Sequence, residues 1–330
     1  MKHSNISFFV PHIGCPNMCS FCNQHTISGA QSAPTVDEVK AVCEKALGEV
    51  GSPENSEIAF FGGSFTAIPR SYMTGLLQGV QEFIGDKKFR GIRISTRPDC
   101  IDSEVLELLK RYHVTSIELG AQSMSDAVLA SNDRGHTSAD VVNASRLIRE
   151  NGFELGLQMM IGLYGSSEKD ELETAEKIIL IRPDTLRIYP VVILRGTRLA
   201  ELYESGIYKP FSFDTAVELA AEVMIRAEKS GIRVIKCGLH ASEFVEQDAV
   251  GGFYHPAFRE LCENQIYRKK IAELIGGKCG KYVISVAPDC ISKAVGQRKS
   301  NIDYFNKIGI SIKIIGVENM DKYQCELRSE

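Results

Sequence analysis

From residue 7 to about 239, short apolar or β-branched runs alternate with amphipathic stretches of about 12 to 20 residues. That rhythm predicts repeated βα units around a parallel sheet, an α/β fold. Candidate strands are SFFVPHI from Ser7, EIAFFGG from Glu57, GIRISTRP from Gly91, SIELGAQS from Ser116, ELGLQMMIGL from Glu154 and TLRIYPVVIL from Thr185; a short seventh, RVIKCGL, starts at Arg233. Six counted units fall short of the eight that close a full barrel, so a partial (β/α)6 barrel of TIM type, open enough for a large substrate, is expected. The helices carry their own signals. Thr35 and Glu38 form a capping box before the helix from Val36, and Val217, Leu219, Ala220, Val223 and Met224 share one face of the helix from Thr215.

Beyond residue 240 the alternation weakens. A Gly pair at Gly251 and Gly252 precedes a helix entered after Pro256, and GGKCG from Gly276 ends it. The last stretch reads strand, helix, loop, helix, strand. The expected organisation is therefore a barrel over 1–240, a helical linker over 241–276 and a small α/β module over 277–330.

Composition narrows the class. The chain has 330 residues, 44% apolar and 24% charged, ample for one large core and a small module. No apolar run is long enough to span a membrane, and the start MKHSNISFFVPHIG lacks the pattern of an export signal, so a cytoplasmic protein without a membrane partner is expected. A net charge of −4 leaves nucleic-acid binding to local basic patches. Ten cysteines without an export signal read as reduced thiols, and a tight cluster of them as metal-binding or catalytic.

One such cluster exists. GCPNMCSFCNQH, directly after the first strand, spaces Cys15, Cys19 and Cys22 so that three thiolates can wrap one cubane and leave its fourth iron without a protein ligand. A zinc site completed by His12 or His25 is the alternative. Cys43 and Cys100 read as structural. With Phe21 immediately before the third cysteine, the motif resembles the signature of the radical S-adenosylmethionine (SAM) superfamily. The resemblance implies a partial barrel of the radical SAM kind, a 4Fe-4S cluster on Cys15, Cys19 and Cys22, and SAM chelated by the open iron. It also implies an electron donor such as flavodoxin or ferredoxin, whose electron releases methionine and a 5'-deoxyadenosyl radical.

Further motifs sit at the ends of later strands. Gly62, Gly63 and Ser64 end the second, where the superfamily carries a glycine motif for the SAM amino group. Ser95-Thr96-Arg97-Pro98-Asp99 ends the third, Glu118 to Ser123 the fourth, and Met159 to Leu163 the fifth, with Arg134-Gly135-His136-Thr137 between the last two. In this order, with Arg187 to Pro190, Arg195-Gly196-Thr197 and Tyr208-Lys209 after them, they look like the radical SAM half of the elongator protein 3 family, over roughly residues 7 to 240. Phe21, Thr96, Gln122, Ser123 and Arg134 are candidate cofactor contacts: Gln122 and Ser123 toward a ribose, Arg134 toward the methionine carboxylate. For Arg97 and Arg134 a surface ion pair is the plain alternative, and for Met159 and Met160 the core. Ser95 stands where that family has an acidic residue, the cysteine spacing is tighter, and too few residues follow the core for its acetyltransferase domain.

In the last segment, Gly296, Gln297, Arg298 and Lys299 form a basic loop between two helices, similar to the Gly-x-x-Gly loop of KH domains without its second glycine. Cations at a helix start suit phosphate, so RNA, with tRNA first, is the expected partner; Arg268, Lys269 and Lys270 would extend the basic face. A small cap over the barrel is the alternative. His240, His255 and Cys262 read as structural rather than as a second metal site. The expected function is modification of a nucleoside in RNA by a radical SAM transferase. Two alternatives remain: a radical SAM enzyme acting on a small molecule, and a non-catalytic metal-cluster protein that binds RNA.

Overall fold

The computed structural model describes residues 4–328 apart from residues 12, 14, 16, 17, 31 and 241. Its strands are β1 (Ser4–Val10), β2 (Ser56–Gly62), β3 (Gly91–Thr96), β4 (Val114–Gln122), β5 (Glu154–Ile161), β6 (Thr185–Pro190), β7 (Val192–Leu194), β8 (Arg233–Cys237), β9 (Ala249–Gly252), β10 (Gly280–Val286), β11 (Ile310–Gly316) and β12 (Glu326–Arg328). Seven of them form one parallel sheet in the order β1-β2-β3-β4-β5-β6-β8. Residues of both edge strands line one cavity, so the sheet curls into a half-barrel. The short strand expected at Arg233 is the seventh, one more than the six counted units.

Each strand except the edges buries its outward apolar residues against helices. Ile58 and Phe60, Ile92 and Ile94, Ile117 and Leu119, and Leu155, Leu157 and Met159 are all within 1% of fully buried. Helix starts are fixed by side-chain caps, Thr35 with Glu38, Thr137 with Asp140 and Ser167 with Asp170, each a reciprocal capping box.

The expected single strand over TLRIYPVVIL is broken. Pro190 has no N–H to continue the ladder, and the chain leaves the barrel sheet there. β7 then pairs antiparallel with β9, a small ribbon at the cavity's edge that periodicity alone did not predict.

The last segment has the expected order of strand, helix, loop, helix, strand, with β10 and β11 parallel and β12 added antiparallel. Helix Phe258–Ile275 lies between this module and the barrel. Its buried Glu263 accepts from the Tyr323 hydroxyl at 3.1 Å and pairs with Arg259, Lys293 and Lys322. Apolar packing runs from the barrel through this helix to Ile284 and Phe305 as one cluster. No helix among the described residues is long and apolar enough to cross a membrane.

Candidate active site

At the C-terminal ends of the barrel strands lies a cavity of about 390 Å³. Cys15, Cys19, Cys22 and Phe21 border it from the loop after β1, Gly62 and Gly63 from β2, Thr96 and Arg97 from β3, and Gln122 and Arg134 from β4 and the segment beyond. Sequence motifs scattered over about 120 residues thus converge on one space.

The cysteine loop is held from behind. Ser20 donates from its amide and hydroxyl to the backbone and side-chain oxygens of Asn132, at 3.1 and 2.8 Å, and its carbonyl accepts from the Leu199 amide. Asn132 is fully buried and spends its own amide protons on the carbonyls of Val128 and Tyr164. Cys19 is buried, and Arg134 donates to its sulfur at 3.2 Å and to the Gly120 carbonyl at 2.6 Å. Burial, then the neighbouring cysteine sulfurs, push the Cys22 thiol up to about 12 and raise Cys15 as well. Bare, the pocket keeps the Cys15 and Cys22 sulfurs protonated; a cation has to displace those protons, so metal uptake here releases acid.

Both glycines at the end of β2, Gly62 within it and Gly63 just beyond, are sterically required. Gly62 has φ +115°, and a Cβ on it would meet the Val10 carbonyl at 2.7 Å; one on Gly63 would meet the Ile13 carbonyl at 2.3 Å. The main chain of β2 is thereby pressed against the cysteine loop, as a backbone-lined cradle demands.

Ser64 and Thr96 act together. Ser64 is fully buried, shares a 2.7 Å hydrogen bond with Thr96 and accepts from the Arg97 amide, so it braces the wall and does not line the cavity. Ser123 is likewise turned away, buried against Thr174 at 3.3 Å, because the chain turns sharply at Gln122, where the Ser123 amide donates back to the Ala121 carbonyl at 2.8 Å. The expectation that Ser123 reaches a ribose is corrected on that ground. Gln122 has φ +66°, and its buried Oε1 has no hydrogen-bond partner. A polar atom left so beside a cavity is positioned for a ligand donor.

Neither arginine is a surface ion pair. Arg97 is 3% exposed, forks onto Asp99 at 2.8 and 2.9 Å and has an unpaired buried Nη1, while Arg134 is 7% exposed with an unpaired Nε. Met159 is core as expected, whereas Met160 lines the cavity.

His136 supplies a pH prediction. It is buried, with Nε2 against the Ala121 carbonyl at 3.2 Å, and burial followed by Arg134 and Arg97 lowers its pKa to about 4. Below pH 6.5 the unfolded chain takes a proton that the native chain refuses, so stability falls as pH drops from 6.5 toward 4. Urea melts of wild type should lose about 1 kcal/mol per pH unit between pH 6 and 5 relative to His136→Gln. Parallel pH profiles for the two chains would remove the assignment.

Residues of the strand-end motifs, with others that the sequence did not single out, complete the interior. Arg93, 2% exposed, pairs with Glu57 at 2.8 Å, Glu118 at 3.2 Å and Glu154 at 2.9 Å, and Glu118 takes a second fork from Arg187 at 2.6 and 2.9 Å. Gln158, Tyr189, Lys236 and His240 line the cavity beyond them. The signal was there in the two-residue period: Arg93, Ser95 and Arg97; Glu118, Gly120 and Gln122; Arg187 and Tyr189.

The candidate second metal residues do not meet: His255 accepts from the Ala257 amide and Cys262 lies 3.9 Å from Cys237. His12 lies outside the described residues, and His25 Nδ1 lies 2.9 Å from the Ala30 carbonyl. No three His, Cys, Asp or Glu side chains among the described residues stand close enough to share a single ion. A cubane spreads its three sulfur ligands over three irons and needs no such close approach. Three thiols bordering one cavity, with the open backbone of Gly62 and Gly63 and the orphaned Gln122 Oε1 beside them, fit a cluster and a polar ligand at its open corner.

Comparison with known proteins identifies the family. Residues 9–178 match the family described as the Radical SAM superfamily, and residues 183–268 that described as the Radical_SAM C-terminal domain. An uncharacterised protein of Methanocaldococcus jannaschii is 28% identical over 228 residues, 68% of this chain and 67% of that one. A tRNA uridine(34) acetyltransferase of the same organism is 30% identical over 204 residues, 55% of this chain and 37% of that one. This chain therefore spans little more than a third of that acetyltransferase. Among solved structures, the archaeal Methanocaldococcus infernus Elp3 with an N-terminal deletion superposes with a TM-score of 0.64 at 21% identity, covering 84% of this chain and 64% of that one.

Proposed function

From a chain that belongs to the radical SAM superfamily, whose members use a 4Fe-4S cluster and SAM, we propose an enzyme that modifies a nucleoside within RNA, with tRNA as the first substrate to test. The observation that carries the reading is the convergence of the three cysteines, the two glycines, Gln122 and Arg134 on one cavity. When bound, the cluster and SAM supply a reductively generated 5'-deoxyadenosyl radical.

In this reading Cys15, Cys19 and Cys22 hold the cluster. Arg134, already donating to the Cys19 sulfur, stabilises negative charge there and offers its remaining donor to the SAM carboxylate. Gly62 and Gly63 present backbone to the amino group, and Gln122 Oε1 accepts from the ligand. Phe21 keeps the cluster end of the cavity apolar, which excludes water from a reactive intermediate. A base reaches this space only when unstacked from its neighbours.

Similarity to a tRNA uridine(34) acetyltransferase supports RNA as the substrate, as does the basic loop of the terminal module. Gly296 has φ +83°, and Arg298 and Lys299 are both exposed at positive φ just before the helix Ser300–Lys307. Of the neighbours expected to extend the face, Lys269 is exposed, but Arg268 is bonded to Asn301 and lies over Tyr304, and Lys270 donates to the Tyr323 carbonyl. We therefore assign phosphate contact to Arg298, Lys299 and Lys269.

The reading is tested by incubating the reconstituted enzyme, SAM and dithionite with unmodified tRNA and measuring nucleoside masses. A second measurement addresses the loop. The double variant Arg298→Ala, Lys299→Ala should bind tRNA with a salt dependence shallower by about 2 in log K against log salt, with folding unchanged. An unaltered slope would leave the module as a cap only.

A further inference from the structure

The cavity has a second end that the cofactor motifs do not use. Those motifs lie on β1 to β4, whereas Gln158 and Met160 come from β5, Arg187 and Tyr189 from β6, and Lys236, Leu239 and His240 from β8 and the turn after it. Four cationic side chains line the cavity, Arg97, Arg134, Arg187 and Lys236, and no Asp or Glu among the described residues does. Three of the four are already engaged: Arg97 by Asp99, Arg187 by Glu118, and Arg134 by the Cys19 sulfur and the Gly120 carbonyl.

Lys236 is the exception. It is half-buried, sits opposite Arg187 in the β6–β8 register, and neither a hydrogen bond nor an ion pair holds its ammonium among the described residues. Its surroundings are positive: burial, then Arg187 and Arg259, lower its pKa, and it in turn helps burial lower that of His240. Placing an unpaired cation beside two others costs free energy in the empty protein, and a bound anion removes that cost.

We propose that Lys236, with His240 at the rim, forms an oxyanion subsite at the β8 end of the cavity that fixes a phosphate or carboxylate of the substrate. It rests on the reading of this cavity as the active site. In an RNA substrate the group would be a phosphodiester next to the target nucleoside, so the ammonium would set how deep that nucleoside enters. The guanidinium of Arg187, locked by Glu118 and lying 5.0 Å from the Phe61 ring, contributes field rather than a direct contact.

The test is titration calorimetry of the reconstituted full chain with uridine, uridine 5'-monophosphate and malonate, for wild type, Lys236→Met and Lys236→Arg. Wild type should bind an oxyanion probe about tenfold or more tighter than Lys236→Met does, with Lys236→Arg keeping most of the difference and uridine unaffected. Preference for the monophosphate over uridine identifies a phosphate site; binding of malonate instead identifies a carboxylate site. No oxyanion binding, or equal binding by wild type and Lys236→Met, overturns the proposal. So does a matching loss of SAM affinity in Lys236→Met, since the anion would then be the cofactor's own. None of these readings requires SAM cleavage or RNA modification, so failure of the RNA assignment is separately visible.

Discussion

A Cys22→Ala chain, reconstituted anaerobically with iron and sulfide, should retain no stable cubane cluster and form 5'-deoxyadenosine no faster than the reaction without protein. Three thiols border the cavity, and no fourth cysteine lines it to substitute. Cys22 is the sulfur whose thiol the bare pocket raises furthest, to about 12, which reflects burial first and then Cys19 and Cys15. Because the bare pocket keeps this thiol neutral, removing it uncovers no charge, so the loss should be confined to iron and chemistry. Absorbance of the cluster and iron content measure the first, and quantified 5'-deoxyadenosine the second. A Cys43→Ala control, in a helix that does not line the cavity, should keep its iron. If Cys22→Ala kept about four irons and wild-type turnover, the three-cysteine assignment would be wrong.

The second large effect concerns stability. Arg93→Met should unfold about 3–5 kcal/mol more easily than wild type near pH 7, because three carboxylates, two of them fully buried, lose their shared cation. Glu57 shows the balance: burial alone would raise its pKa, but Arg93, with hydrogen bonds from Thr115 and Ser116, brings it below the usual carboxylate value. Without Arg93, burial dominates and the native carboxyl titrates above its unfolded counterpart. A raised native pKa gives stability that is present at low pH and lost as pH rises. The deficit of Arg93→Met should therefore be largest at pH 7 and shrink toward pH 5 in urea melts. A deficit under 1 kcal/mol at pH 7 would show that water, not Arg93, satisfies these acids.

This network explains both what could be read along the chain and what could not. Apolar positions at every second residue of β2 to β5 marked the strands and their outer faces, because helices cover those faces. The inner face is polar in this barrel, and its residues occupy the same two-residue period in the opposite phase; Arg93, Glu118 and Arg187 were readable as inward, but not as partners. Pairing depends on register, and β3 and β4 slip by one residue between Ile92 and Arg93, which no local pattern announces. The same limit applies to Ser123: its neighbour Gln122 takes the inward direction at a positive φ, so proximity in sequence to a cavity residue did not carry it into the cavity.

The cysteine loop was legible because its chemistry is local: three ligands within eight residues. Its support was not. Asn132, two residues before Arg134, fastens the loop through Ser20 from more than 100 residues away, and Lys236 meets the cavity only because the sheet curls its far edge toward the first strand. Such contacts are properties of topology, and sequence spacing holds no record of them.

The central claim is most directly tested by anaerobic reconstitution with iron and sulfide, followed by SAM and dithionite, with 5'-deoxyadenosine quantified against a Cys19→Ala control. Roughly four irons per chain and 5'-deoxyadenosine that disappears in the control are the predicted result. Tightly bound zinc with no SAM cleavage, or cleavage that persists in Cys19→Ala, would contradict it.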